Sequence, residues 1–306
     1  MLSYRHAFHA GNHADILKHS VLINILESLN TKDKPYTIFE THSGSGVYNL
    51  EDERSLKTNE AKQGILSLLP QMDELDFPES LSNYYKITSL YKRHKCYPGS
   101  IELERIFTKP DCTHIISELN NSEIEALKQN VSNEPLVIVN TEKKCVRTQV
   151  HHRDGFETVL SLTPPAIKRG LCLIDPSYEE KDEYKDTGNA VIKIHRKWNV
   201  GIIALWYPLL AHRAIEIEQM KNNIIANVKA FNSNTNILDA RLCINTADSH
   251  IETELKDNSG PPRLYGSGML IINFPWKLDE KTQANLDYIT KHIYKNEKTS
   301  FSIRIY

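Results

Sequence analysis

Long apolar runs are missing from this 306-residue chain. None reaches the roughly 20 residues a membrane-spanning helix needs. The opening Met1-Leu2-Ser3-Tyr4-Arg5-His6 lacks the apolar stretch of a secretory leader, so a cytoplasmic location is expected. Cysteine is scarce as well: five residues, an odd number, with no Cys-x-x-Cys pair. That argues against a disulfide framework and against a zinc ribbon. Cys145 and Cys172 sit in strand-like apolar runs and read as buried small hydrophobes. An excess of one charge is also lacking, because the formal net charge is only −2. A protein that held nucleic acid by counterion release alone would be more basic. Any such contact has to be local, with base-specific chemistry carrying part of the recognition. Internal repeats and low-complexity segments are absent.

The composition, 40% hydrophobic and 25% charged, is that of an ordinary globular protein. The length suits one large α/β domain or one domain with an inserted lobe. Apolar residues Ile16, Leu17, Val21, Ile25, Leu26 and Leu29 recur near helical spacing and predict a helix from Asn12 or His13 to Leu29. Strand Tyr36–Glu40 follows and runs into Thr41-His42-Ser43-Gly44-Ser45-Gly46. Residues 51–94 change character: they are charged, helix-like and broken by Pro70 and Pro78. We read them as a helical insertion in a domain formed by 1–50 and 95–306. Alternation then resumes with helix Ile101–Phe107 and strand Thr113–Glu118, then helix Ser122–Gln129. Strand-like Leu136–Val139 and Cys145–His151 come next, then helix Asp154–Leu162 and strand Leu171–Asp175. Helix Tyr184–Lys197, strand Gly201–Trp206, helix Ala214–Asn227 and strands Leu238–Ile244 and Gly268–Phe274 complete the pattern. It predicts a mostly parallel sheet covered on both faces. A loop between the last two strands suggests an antiparallel addition at one edge.

Four strand ends carry residues suited to one chemistry. The turn Glu40–Gly46 has glycines that let backbone approach a ligand, where nucleoside cofactors sit in open α/β sheets, though a plain structural turn reads the same way. Glu118 ends the next strand; an acid there can accept from both ribose hydroxyls, or be a solvated strand end. Asp154-Gly155 can meet an adenine amine, and Asp154 is equally a favoured helix N-cap. Asp175-Pro176-Ser177-Tyr178 directly follows an apolar strand. An exocyclic amine is a poor nucleophile because its lone pair is delocalised. The Asp175 carboxylate and the Pro176 carbonyl can accept its two N–H bonds, and Tyr178 can stack on a flipped base. A proline turn is the alternative. The histidine-rich start offers His13, Asp15 and His19 as metal ligands. Helical phase, however, puts His13 and Asp15 about 200° apart, so no metal is expected.

The segments His9-Ala10-Gly11-Asn12-His13-Ala14-Asp15, Leu17-Lys18-His19, Tyr97-Pro98-Gly99-Ser100 and Ala204-Leu205-Trp206-Tyr207-Pro208 give the chain a resemblance to the bacterial RlmJ family. These are 23S ribosomal RNA adenine-N6 methyltransferases. The resemblance implies a Rossmann-like fold with an inserted helical subdomain, and S-adenosylmethionine as cofactor. It implies cofactor contacts at His19, His42, Ser100, Glu118, Asp154, Gly155 and Asp175, with Lys18 beside them. It further implies Asp175 as the catalytic acceptor and Tyr4 as a contact to RNA. The chain departs from the family pattern at Ser177, where proline is usual, at Glu40, where aspartate is usual, and at Phe274, where proline is usual. An enzyme acting on DNA adenine would use the same four strand ends. Nothing in the sequence calls for a protein partner, and a monomer is expected.

Overall fold

Apolar strands with no polar face have to be covered on both sides, and the centre of the sheet shows this directly. In the computed structural model, which describes residues 6–71, 76–248 and 264–306, helix α1 (His13–Asn30) precedes β1 (Thr37–Glu40), every residue of which is buried. A two-stranded antiparallel ribbon, β2 (Val47–Asn49) with β3 (Cys96–Pro98), brackets α2 (Glu53–Thr58), α3 (Glu60–Gln63), α4 (Ile65–Leu68) and α5 (Ser82–Arg93). Then come α6 (Ser100–Phe107), β4 (Thr113–Ser117), α7 (Asn121–Ser132), β5 (Thr148–His151) and α8 (Gly155–Leu162). Strand β6 (Gly170–Ile174), α9 (Lys181–Lys197), β7 (Ile202–Leu209) and α10 (Ala214–Phe231) lead to β8 (Ile237–Cys243), β9 (Gly266–Ile272), α11 (Leu278–His292) and β10 (Ser300–Ile305).

The main sheet runs β5-β4-β1-β6-β7-β9-β8-β10. Pairings from β5 through β7 are parallel, and those of β9, β8 and β10 are antiparallel. The chain builds outward from β1 through β4 to β5, then returns to lay β6 on the other side of β1. That reversal opens a crevice at the carboxyl ends of β1, β4 and β6, where ligands bind in such sheets. Helix α1 is buried along nearly its whole length between the sheet, α6, α5 and α11, so its polar residues Asp15, Lys18 and His19 are interior groups. Asn12 caps it by accepting from the Ala14 and Asp15 amides at 2.9 and 3.0 Å.

Residues 58–65 brace the run of residues 8–12. Ile65 N–H donates to Gly11 O at 2.8 Å, Glu60 bonds His9 and Asn12 at 2.9 Å each, and Thr58 donates to Phe8 O.

Several expectations need correction. Leu136–Val139 forms no strand; the Val139 amide is taken by Ile106 O at 3.0 Å, outside any ladder. Strand character before His151 begins only at Thr148. Cys145 is half-buried, whereas Cys172 is buried as expected. Helix α11 and edge strand β10 were not anticipated, because residues 278–305 are polar and β10 is mostly exposed or half-exposed. The antiparallel edge is present, and three strands deep.

Candidate active site

The crevice is an open cleft of about 660 Å³, counting its mouth. Six residues expected at a cofactor site line it: Lys18, His19, His42, Ser100, Glu118 and Asp175. They come from α1, the β1 turn, the start of α6 and the ends of β4 and β6. Tyr48, Asn120 and Glu123 also line it; their sequence context carries no signal, since each is an unremarkable residue on a ribbon or helix start.

Gly44 adopts φ +56°, a conformation suited to glycine, and a Cβ there would lie 2.3 Å from the Tyr48 hydroxyl. Its amide donates to Glu118 Oε2 at 2.8 Å, and the Asn120 amide donates to Oε1 at 2.7 Å. Ser43 fastens the same turn to β4 through Ser117 O. Burial pushes the Glu118 carboxyl above the usual range, with these two backbone donors opposing.

Asp154 is the N-cap of α8, accepting from the Glu157 amide at 2.9 Å, and it does not line the cleft. Gly155 packs so tightly that a Cβ would sit 2.0 Å from Thr41 O, which brings the α8 start against the end of β1. Next to it the His42 ring meets Phe156 edge-on at 5.3 Å, and burial lowers the His42 pKa.

Lys18 reaches Asp175 across 157 positions of sequence. Its Nζ donates to Asp175 Oδ2 at 2.6 Å and lies 3.0 Å from Asp15 Oδ1. Burial disfavours the ammonium, but the two carboxylates outweigh it and raise its pKa. Asp15 also accepts from the Gly11 amide at 2.8 Å and pairs with His6 at 2.9 Å. The start of the chain thus gathers hydrogen-bond partners and the Lys18 ammonium around Asp15. His19 bonds Tyr97 OH at 2.7 Å, and burial drives its pKa down to about 3.

Tyr178 departs from expectation. Its backbone is left-handed at φ +53°, and the residue is 5% exposed. Its hydroxyl donates to Trp206 O at 3.1 Å, and the ring lies between Tyr184 and Trp206, with centroids 4.6 and 6.1 Å away. The packing of this core leaves Tyr178 out of the cleft lining; Ser177 takes its place there. Pro176 is buried beside it, also outside the lining. Tyr4 lies outside the described residues.

A family model described as "Ribosomal RNA large subunit methyltransferase D, RlmJ" matches residues 33–304. The chain belongs to the RlmJ family. A protein of Haemophilus influenzae named ribosomal RNA large subunit methyltransferase J is 34% identical over 99% of this chain and 98% of its own length. The protein of that name from Escherichia coli is also 34% identical, over 94% of this chain and 93% of its own. A crystal structure of a Legionella pneumophila protein matches with a TM-score of 0.75 at 28% identity, covering 97% of this chain and 98% of that one. Membership in the RlmJ family makes this chain an rRNA methyltransferase on a Rossmann-like fold, and such an enzyme requires a methyl donor.

The cleft's chemistry suits a cationic nucleoside donor. A carboxylate offers about four lone-pair sites, and the Gly44 and Asn120 amides orient the Glu118 carboxylate without filling them, so it can still accept from a ribose hydroxyl. Among the described residues Glu118, Glu123 and Asp175 line the cleft with Lys18 as their one ammonium, so a positive ligand is favoured there.

Proposed function

We propose that this chain methylates the N6 amine of an adenine in 23S ribosomal RNA, with S-adenosylmethionine as donor. The observation that carries the reading is the position of Asp175: its carboxylate sits at the end of β6, in the cleft that also holds Glu118 and the glycine turn. The donor supplies an electrophilic methyl group. Around it Glu118 would hold the ribose, and Ser100, His42 and His19 would line its bed. Asp154 would contribute through the start of α8, with Gly155 allowing that helix to approach.

Lys18 holds Asp175 Oδ2, which leaves Oδ1 to accept one N–H of the target amine. The Pro176 carbonyl would accept the other. The two bonds aim the amine and restore electron density to its nitrogen. Asp175 need not be a strong base, because the nitrogen becomes cationic before its proton leaves. Catalysis then rests mainly on positioning and on hydrogen bonds to the amine. Tyr178 would act as the floor behind the target base, through Ser177, and Tyr4 would contact the RNA. We assign residues 51–94 as a helical subdomain and the protein as a cytoplasmic monomer; among the described residues no helix is long and apolar enough to cross a membrane.

The names of the relatives favour RNA over the DNA-acting alternative. Mass spectrometry of rRNA fragments from cells with and without the gene tests this directly. A methyl mark on one adenine that vanishes with the gene is expected, and an unchanged methylation pattern would refute the assignment. Labelled methyl transfer into rRNA and into DNA separates the two substrates.

A further inference from the structure

Beneath the cleft, behind the residues that line it, β1 and α6 bring two carboxyl groups together. Glu40 is 1% exposed and Glu104 0%. Ser100 Oγ, at the cleft wall, donates to Glu40 Oε1 at 2.5 Å. On the far side Glu104 Oε2 bonds His114 Nε2 at 2.8 Å, and the other ring nitrogen bonds Thr148 Oγ1 at 2.9 Å. The remaining oxygens, Glu40 Oε2 and Glu104 Oε1, have no hydrogen-bond partner, and Ser100 and Glu104 stand one turn apart on one face of α6, the first reaching Glu40 on β1 and the second His114 on the adjoining β4. Ionised carboxylates are acceptors only, so two of them can hydrogen-bond one another only through a proton.

The surrounding groups leave this pair short of positive charge. Lys18, on α1, is shared by Asp15 and Asp175 and opposes the rise at Glu40 without overcoming burial. His114, on β4, is held neutral by burial, its pKa driven down to about 3. Asp175 beyond β6 adds negative charge. The Cys172 thiol of β6 is pushed up by burial and by both glutamates, and stays protonated. Arg105, on α6, is engaged by Glu102 and by carbonyls of residues 130–133. Burial therefore holds both glutamates well above the usual carboxylate range, and Glu104 pushes Glu40 further up.

We propose that Glu40 and Glu104 form a proton-linked counter-charge for the cofactor: the pair gives up one proton when a sulfonium nucleoside fills the cleft and regains it when the thioether product remains. In the empty cleft both carboxyls are protonated. A fixed positive charge beyond Ser100 stabilises the monoanion, in which one proton lies shared between Glu40 and Glu104. The released proton leaves to solvent by way of the Ser100 hydroxyl. The product has lost the sulfonium charge, so the pair binds its proton again and favours the charged donor over the spent one. The proposal rests on the cofactor reading given above.

Calorimetric titration at pH 7.5, in two buffers of different ionisation enthalpy, counts the protons. About one proton should leave per S-adenosylmethionine bound, and less than about half as many per S-adenosylhomocysteine. Glu104→Gln should abolish the difference between the two ligands. Glu40→Gln should do the same, and each variant is first checked for a native circular-dichroism spectrum and melting transition. Equal proton release for the two ligands in the unaltered protein would overturn the proposal, as would a difference that survives in both glutamine variants. Binding of both ligands without proton release defeats the pair's role alone; absence of binding defeats the cofactor reading as well.

Discussion

Two buried lysine–aspartate pairs, one on each side of the sheet's centre, share the same separation and differ in nearly everything else. Lys18 meets Asp175 at 2.6 Å, and Lys221 meets Asp239 at 2.6 Å. The first opens on the cleft, with the Asp175 side chain 16% exposed; the second is sealed between α10 and β8, with both side chains 1% exposed. Lys18 has a second carboxylate in Asp15 and its pKa is raised, whereas burial outweighs Asp239 at Lys221 and lowers it. Around the sealed pair Tyr207 donates to Asp239, and Arg241 Nε donates to Tyr207 OH at 3.0 Å. One geometry thus serves two ends. An ion pair that faces a ligand site can exchange partners, and one with no outlet only fixes how helix and strand meet.

The comparison breaks most sharply by mutation of the two aspartates. Asp175→Ala should lower methyl transfer by about 10³-fold or more, while S-adenosylmethionine affinity and the melting temperature change little; labelled transfer and calorimetry read both. Asp239→Ala should do the reverse, costing about 3 kcal/mol of stability by leaving the buried Lys221 ammonium with only the longer contact to Glu218 at 3.6 Å, with the surviving folded protein still active. Denaturant titration checks this, and a stable Asp239→Ala protein would remove the distinction. Replacing both members of the sealed pair, Lys221→Met with Asp239→Leu, should recover most of that loss.

A smaller effect is expected at Glu118→Gln, which keeps the shape but weakens the acceptor. Cofactor Kd should rise about 10-fold, or about 1.4 kcal/mol, with kcat nearly unchanged at saturating cofactor. The smallest effect is a slope. Burial drives His13, His19 and His114 down to about 4, 3 and 3. The unfolded chain therefore binds more protons than the folded one below about 6.5, and these groups cost stability as pH falls through that value. Glu40 and Glu104, raised in the fold, oppose this: their contribution is full below about 4.5 and is lost as pH rises. Melting curves from pH 7.5 to 4.5 should be less steep in pH for His114→Gln than for the unaltered chain.

The parts legible in the sequence were those where a short-range pattern meets a strand end. Glu40–Gly46, Glu118 and Asp175 each close an apolar run, and the Asp154 cap stands just before an amphipathic stretch. That was enough to bring the turn, Glu118 and Asp175 to one rim. What the sequence hides is pairing at long range. Nothing local ties Lys18 to Asp175 or Glu40 to Glu104, and nothing marks Tyr178 as packed between Tyr184 and Trp206. Strand β10 escaped notice because an edge strand buries little, so its alternation is faint.

The contacts between residues 58–65 and the chain's first described residues have a consequence for engineering. Gly64 lies so close to Gly11 that a Cβ would come within 2.1 Å of its carbonyl, and Glu60 grips His9 and Asn12. A segment that looks like a removable appendage is therefore the outer jaw of a vice closed on the amino-terminal run. Trimming it to make a minimal enzyme would free the run that caps α1 through Asn12 and sets His6 and the Gly11 amide on Asp15, the partner of Lys18, and the chemistry would lose its alignment although no cleft residue had been touched.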